Sequence, residues 1–128
     1  MPTTEELTAA VEKYAASHTA GDIDGIVALF ADDAVVADPV DQPEHVGTEA
    51  IRTFFAGTHQ LADSLELLIT GPIRAVDRFA AVPLQAVTTL GDQKFVIDII
   101  DVFTMNDDGK FSEMRAYWSS GAIRPFDG

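Results

Sequence analysis

An alternating row of residues in the second half of the chain carries one carboxylate among apolar side chains. Every second position from 95 to 105 reads Phe95, Ile97, Ile99, Asp101, Phe103 and Met105. Alternate residues of a β-strand share one face, so this pattern predicts a long strand with Asp101 in the middle of a buried face. Burial of an ionised carboxylate is costly. We therefore expect the pKa of Asp101 to rise and the protonated acid to donate a hydrogen bond.

A second aspartate on the same predicted strand competes for this role. Asp98 lies on the opposite face, with Val96, Ile100 and Val102. One of the two aspartates is expected to face a cavity, and the other the outer surface of the sheet or a subunit interface. The apolar row favours Asp101 for the cavity. A buried ion pair with a nearby arginine is the alternative explanation for Asp101.

Length and composition limit the class of protein. The chain has 128 residues, which predicts a single domain over residues 1–128 with room for a core. The absence of cysteine excludes disulfides, thiolate metal sites and cysteine nucleophiles. No apolar stretch approaches the roughly 20 residues of a membrane helix, and the first residues do not resemble a signal peptide. We expect a soluble cytoplasmic protein that does not enter a membrane.

The charge balance indicates which ligands fit. The formal net charge is -13, which argues against nucleic acid, anionic membranes and anionic substrates. A neutral or apolar small molecule fits best. His18, His45 and His59 lack the spacing of metal ligands, so no metal site is predicted and we expect these histidines on the surface.

The first half of the chain predicts three helices and one strand. Residues 4–20 carry apolar side chains at helical spacing, with Gly21 placed to end the helix. Asp22 and Thr48 are placed to cap a second and a third helix. Residues 34–40, between these two helices, predict a strand.

The second half predicts strands joined by tight turns. The strand-like segments are 64–76, 79–90, 93–105 and 110–120. Helices followed by antiparallel strands indicate an α+β fold. We expect a cone-shaped, curved, mixed or antiparallel sheet covered by three helices from the N-terminal half, enclosing one apolar pocket with one open mouth.

Two further polar side chains have apolar neighbours. Tyr14 lies on the apolar stripe of the first helix, where it is either a core tyrosine or a hydroxyl donor in a cavity. Asp38 precedes Pro39, whose ring favours an extended conformation at residue 38. Asp38 is either part of a strand-ending turn or a general base that is ionised at neutral pH. With Asp101, these residues suggest a dry pocket that stabilises an oxyanion while a second carboxylate moves a proton.

Several segments resemble bacterial Δ5-3-ketosteroid isomerases. The segments that carry the resemblance are residues 20–34, 37–40, 47–52, 100–103 and 114–116. The similarity runs nearly end to end, and three functional positions match within these and neighbouring segments. It implies the cone-shaped fold shared with scytalone dehydratase and nuclear transport factor, and a homodimer formed through the sheets.

The resemblance also implies roles for individual residues. Asp38 matches the general base, and Tyr14 and Asp101 match the two oxyanion-hole donors. No cofactor is implied. The positions implied to line the substrate pocket are Val40, Phe55, Leu61, Val87, Phe103, Met114 and Trp118.

The implied reaction converts a Δ5-3-ketosteroid into a Δ4-3-ketosteroid by moving a proton from C4 to C6 through a dienolate. We expect Asp38, near the mouth, to keep a pKa close to its ordinary value, while burial keeps Asp101 neutral. Family members often have tyrosines that hydrogen-bond to the first donor at the positions of Phe30 and Phe55. Tyr14 lacks that support in this chain.

Three other functions remain open on the same fold. A hydrolase or dehydratase, such as a limonene-epoxide hydrolase, needs Arg115 in the cavity, yet alternation places Arg115 opposite Met114 and Trp118. A non-catalytic binder of steroids or polyketides fits the missing tyrosine hydroxyls. A protein-interaction module has only fold analogy in its favour.

Overall fold

The computed structural model describes residues 2–126. Its helices are α1 (Thr4–Ala20), α2 (Ile23–Val27) and α3 (Thr48–Gln60). Its strands are β1 (Phe30–Ala37), β2 (His45–Val46), β3 (Ser64–Ile69), β4 (Arg74–Val76), β5 (Phe79–Leu90), β6 (Gln93–Met105), β7 (Phe111–Tyr117) and β8 (Arg124–Pro125).

The ends of α1 and the start of α2 follow from capping residues. The Thr3 side chain accepts a hydrogen bond from the Glu6 backbone N–H at 3.0 Å, and Gly21 ends α1 in the left-handed conformation with a φ of 69°. The Asp22 carboxylate accepts from the Gly25 N–H at 3.0 Å and caps α2. These caps agree with the sequence pattern.

The start of α3 differs from the prediction. Thr48 is the first residue of the helix, and the preceding cap is Gly47, which has a φ of 90° and no side chain to accept a hydrogen bond. The Gly47 N–H donates instead to the Ala34 carbonyl at 2.9 Å, which joins the start of α3 to β1. The prediction that Thr48 caps α3 is therefore wrong, because backbone pairing with β1 sets this helix start.

The strands form one curved, mixed sheet in the order β2-β1-β7-β6-β5-β3, with β4 beside β5 and β8 beside β6. Only the β1–β7 pair is parallel among the strand pairs of residues 2–126. Strands β5 and β6 form a long hairpin that pairs from Phe79 with Thr104 to Leu90 with Gln93. The expected α+β cone fold is confirmed.

Three predicted strands have different bounds in the structure, and one of them, 110–120, is shorter because β7 is Phe111–Tyr117. The predicted strand 64–76 divides into β3 and β4, because Gly71 and Pro72 interrupt the pairing with β5. The predicted strand 34–40 begins earlier, at Phe30, and ends at Ala37.

The core occupies one end of the fold and a pocket the other. On β6, Phe103 and Met105 are fully buried in the core, whereas Ile97 and Ile99 on the same face are half-buried and line the pocket. One face of one strand therefore passes from core to pocket, and Asp101 lies at the transition. No helix within residues 2–126 is both long enough and apolar enough to cross a membrane.

Candidate active site

The two aspartates of β6 lie on opposite sides of the sheet. Asp101 is 3% exposed and lines the pocket. Asp98 is exposed on the outer face, where its carboxylate accepts a hydrogen bond from the Gln85 amide at 2.9 Å and pairs with Arg124 of β8 at 3.1 Å. No arginine of residues 2–126 forms an ion pair with Asp101. The alternation of β6 thus separates a buried acid from a solvated one, as the sequence pattern predicts.

The pocket is a cavity of about 430 Å³ between the helices and the sheet. Leu61 and Leu90 are exposed and mark its mouth, while Asp101 lies at its buried end. Its apolar walls come from α3, β3, β5 and β6 and include Phe54, Phe55, Leu65, Leu67, Ala86, Phe95, Ile97 and Ile99.

Tyr14 lies at the buried end of the pocket with its ring surrounded by other rings. The Tyr14 side chain is 2% exposed. Its ring makes edge-to-face contacts with His18, Phe103, Phe55 and Phe30 at centroid distances of 4.7, 5.1, 6.1 and 6.3 Å. These contacts fix the ring, and no described residue hydrogen-bonds to its hydroxyl. Phe30 and Phe55 therefore support Tyr14 through their rings although they lack hydroxyls.

Burial favours the protonated forms of Tyr14 and Asp101. Burial raises the pKa of the Asp101 carboxyl well above its ordinary value, and the nearby Asp38 carboxylate raises it further. The pKa of Tyr14 is also raised, first by burial and then by the charges of Asp101 and Asp38. The Asp101 carboxyl, like the Tyr14 hydroxyl, has no hydrogen-bond partner among the described residues. Burial thus favours a proton on each of these two groups at the closed end of the pocket.

Asp38 follows the last residue of β1 and is the third titratable group of the pocket. The Trp118 indole Nε1–H donates to Asp38 Oδ1 at 2.6 Å. Burial raises the pKa of Asp38, and the hydrogen bond from Trp118 and the charge of His45 partly offset that rise. The prediction of an ordinary pKa for Asp38 is wrong, because Pro39 and Trp118 line the pocket beside it and exclude water.

Three of the seven implied pocket positions line the pocket. Phe55 contributes to its wall and to the ring contacts of Tyr14. Trp118 contributes its indole beside Asp38. Leu61 is 78% exposed at the mouth, where an apolar ligand would cover it.

The other four implied pocket positions lie elsewhere. Phe103 and Met114 are fully buried in the core beyond the closed end of the pocket. Val87 points to the opposite face of β5 from its two neighbours, which line the pocket. Val40 is half-buried outside the pocket, and its N–H donates to the Ala116 carbonyl at 3.0 Å. These four residues do not line the cavity in this structure, and their contact with a ligand stays a prediction.

A buried histidine is the main site feature that the sequence analysis missed. His18 is 5% exposed and lines the pocket, and its Nδ1 lies 3.0 Å from Nε2 of the half-buried His59. The expectation of a surface position is wrong for His18. Its spacing of four residues from Tyr14 places it on the same helix face, and this signal could have identified it. No cluster of three or more His, Asp or Glu residues within 2–126 could hold a metal ion.

Comparisons with known proteins place the chain in a family. The family model of the SnoaL-like domain matches residues 11–114. A steroid Δ-isomerase of Nocardioides simplex is 38% identical over 116 residues, which cover 91% of this chain and 92% of the relative. SalBIII, an epoxide hydrolase/cyclase-like enzyme with a role in pyran ring formation in the polyether salinomycin, has a similar solved structure. It is 27% identical, with a TM-score of 0.88, and the alignment covers 98% of this chain and 100% of SalBIII.

The chain belongs to the SnoaL-like domain family of cone-shaped α+β proteins. Its similarity to the Nocardioides simplex steroid Δ-isomerase confirms the resemblance predicted from the sequence, and with it the class of enzyme.

Proposed function

We propose that this protein isomerises Δ5-3-ketosteroids to Δ4-3-ketosteroids by moving a proton from C4 to C6, with no cofactor. The main support for this proposal is that Tyr14, Asp38 and Asp101 line the same apolar pocket. The isomerase relative supports the reaction class. The pocket chemistry supports the steps described below.

Asp38 is the general base in this proposal. Its carboxylate removes a C4 proton that the neighbouring C3 carbonyl acidifies, and the electrons of the broken C–H bond form a dienolate. The protonated Asp38 then returns the same proton to C6, which completes the conjugated enone. A pKa raised by burial brings this base closer to neutral pH, where a proton is both accepted and released readily.

Tyr14 and Asp101 are the donors to the dienolate oxygen. Negative charge collects on the C3 oxygen as the C4 proton leaves, and a donor fixed in a water-excluded site stabilises that charge more than water does. The raised pKa of each group favours the protonated form that donates to the oxygen. Neither group has a protein partner to give up, so both remain available to the ligand.

The walls and charge of the pocket fit a neutral, rigid, apolar ligand. The walls are largely aliphatic and aromatic, and the mouth is rimmed by Leu61 and Leu90. The net charge of -13 disfavours an anionic ligand. These features support a steroid, and they give no favourable interaction to a phosphorylated substrate.

The proposal includes a homodimer formed through the outer face of the sheet. Ile100 and Tyr117 are exposed there and line a shallow groove with Pro83. Burial of these side chains between two copies would stabilise the dimer. Sedimentation of the wild-type protein and of Ile100→Lys tests this part. A monomeric wild type contradicts it.

The Arg115 side chain does not support the hydrolase alternative. It lies on the outer face of β7, where its Nε is 3.5 Å from the Tyr117 hydroxyl. No arginine lines the pocket among the described residues. An Asp-Arg-Asp arrangement around a water is therefore not available in this cavity.

The first experiment mixes purified protein with 5-androstene-3,17-dione and follows the ultraviolet absorbance of the conjugated enone. Wild type is expected to produce the enone, and Asp38→Asn is expected to lose the activity, because no other described carboxylate is placed to replace this base. Asp98→Asn is the matched control, since Asp98 is an exposed aspartate on the outer face that does not line the pocket. Full activity of Asp38→Asn would contradict the mechanism. Steroid binding without turnover would indicate the non-catalytic binder.

A further inference from the structure

His18 forms part of the pocket wall and has one unpaired ring nitrogen. Its Nδ1 is occupied by Nε2 of His59 at 3.0 Å. Its Nε2 is the only fully enclosed side-chain nitrogen or oxygen without a partner in residues 2–126. An enclosed polar atom without a hydrogen bond costs about 1–3 kcal/mol. The free protein therefore carries an unpaired polar atom beside the pocket, and a ligand can satisfy it if the His18 ring shifts to bring Nε2 to the pocket surface.

The His18–His59 pair is neutral. Burial, and then the neighbouring His59, lower the pKa of His18 to about 3, and burial also lowers the pKa of His59. A neutral imidazole carries no positive charge to compensate a carboxylate or phosphate in an acidic, apolar pocket. It matches an uncharged oxygen.

A ligand hydroxyl can hydrogen-bond to His18 Nε2 in either tautomer of the His18–His59 pair. If the His59 Nε2–H donates to His18 Nδ1, then His18 Nε2 carries a proton and donates. If His18 Nδ1–H donates to His59, then His18 Nε2 accepts. A hydroxyl both donates and accepts, so it pairs with either tautomer, whereas a ketone pairs only with the first.

The position of His18 places this contact away from the reacting carbonyl. His18 is four residues beyond Tyr14 on α1, which is about 6 Å along the helix axis. The His18 ring packs edge-to-face on Phe55 at 5.1 Å and stacks on His59 at 5.2 Å. Along α3 the pocket wall runs from Phe55 towards the exposed Leu61, so His18 faces the stretch between the donors and the mouth.

We propose that His18, held by His59, is a specificity-determining residue that recognises a hydroxyl group on the ring system of the ligand, distant from its C3 carbonyl. This inference rests on the proposed steroid substrate and adds the substituent that the pocket prefers. Because Nε2 lies just inside the wall, the contact requires a small shift of the His18 ring, which the half-buried His59 can follow.

Equilibrium binding of reaction products tests the inference without turnover. The ligands are 4-androsten-3-one and its derivatives with a single hydroxyl at C11 or C17, and the readout is the fluorescence of Trp118, the single tryptophan of the chain, in the pocket. Wild type is expected to bind one hydroxylated steroid roughly fivefold to tenfold more tightly than 4-androsten-3-one, as expected for one net hydrogen bond.

Variants of His18 test whether the preference for the hydroxylated steroid depends on Nε2. His18→Leu removes both nitrogens, and His18→Asn keeps a polar atom near Nδ1 but none near Nε2. Both are expected to lose the preference. Glu12→Gln is the control, because Glu12 is an exposed residue of α1 that does not line the pocket, and it is expected to keep the preference. Should His18→Leu fail to fold, His59→Leu, which frees the His18 ring, is expected to weaken the preference.

Each result has a definite meaning. No preference in wild type, or a preference that survives both His18 variants, overturns the inference. Enone formation without such a preference leaves the proposed isomerase intact and removes only the role of His18. A preference that depends on His18, in a protein that does not form the enone, keeps the inference and rejects the isomerase. Failure of every steroid to bind rejects both.

Discussion

The indole of Trp118 donates a 2.6 Å hydrogen bond to the carboxylate of Asp38, across a separation of eighty residues in the chain. This bond engages Oδ1, and no described residue hydrogen-bonds to Oδ2. It also opposes the rise that burial imposes on the pKa of Asp38. Trp118 therefore adjusts the strength of the proposed base as well as lining the pocket.

Replacement of Trp118 by Phe is expected to raise the pKa of Asp38 further, because the hydrogen bond that stabilises the carboxylate is lost. A hydrogen bond to a charged group contributes about 1.5–3 kcal/mol, so the acidic limb of the kcat/KM profile should move up by about one pH unit or more. The measurement is kcat/KM for the isomerisation between pH 4 and pH 9. An acidic limb at the wild-type position would show that the bond does not adjust the base.

Asp101→Leu is expected to lower kcat by about 10²–10³, because it removes one of two oxyanion donors while keeping a similar volume. Asp98→Leu is the matched control on the same strand. Its carboxylate makes only exposed contacts on the outer face, in the groove proposed for the dimer, so its kcat is expected to stay close to wild type when sedimentation shows the same oligomeric state. Equal losses in both variants would mean that the two faces of β6 are wrongly assigned.

The same Asp101→Leu variant is expected to be more stable than wild type. The Asp101 carboxyl has no protein partner and borders the buried end of an apolar pocket, and a polar group placed in such surroundings without a hydrogen bond costs about 1–3 kcal/mol in the free energy of unfolding. A gain in stability together with a loss of activity indicates a group retained for the reaction. Urea unfolding at pH 7 measures the difference. Destabilisation by more than 1 kcal/mol would contradict the absence of a partner.

The stability of wild type is also expected to depend on pH through Asp101. Its pKa is higher in the folded than in the unfolded chain, so the folded protein binds more protons between those two values. The free energy of unfolding therefore decreases as the pH rises from the unfolded pKa of about 4 through the folded pKa. The stability advantage of Asp101→Leu should grow over the same range, and an advantage that does not change with pH would contradict the raised pKa.

Tyr14→Phe is expected to lower kcat by about 10²–10³, with little change in the free energy of unfolding. The ring contacts with His18 and Phe103 are kept, and the hydroxyl that is removed bonds to no described residue. Thermal unfolding and steady-state kinetics on the same preparation separate the two effects. Unchanged kcat would remove Tyr14 from the proposed oxyanion site.

Sequence patterns predict much of the fold because strand alternation and helix capping depend on residues close together in the chain. The alternation in β5 and β6 and the caps of α1 depend on residues a few positions apart, and the structure has these elements where the pattern places them. The start of α3 depends instead on backbone pairing between Gly47 and β1. No pattern near Thr48 reveals that contact.

The candidate site likewise has features that the local sequence predicts and features that depend on residues remote in the chain. The choice of Asp101 over Asp98 follows from alternation along one strand. The raised pKa of Asp38 depends on Trp118, which is remote in sequence, so the residues around Asp38 do not predict it. Val87 shows the opposite case, since alternation along β5 would have excluded the pocket contact that the resemblance implied.

The two halves of the inner face of β6 have different roles. The residues near its end, Phe103 and Met105, are packed inside the core, whereas Phe95, Ile97 and Ile99 line the pocket. Exchanges among apolar residues at these three positions reshape the pocket with small effect on the packed interior. Substitutions in the pocket half of β6 can thus change which ligand binds, while the core half of the same strand keeps the protein stable.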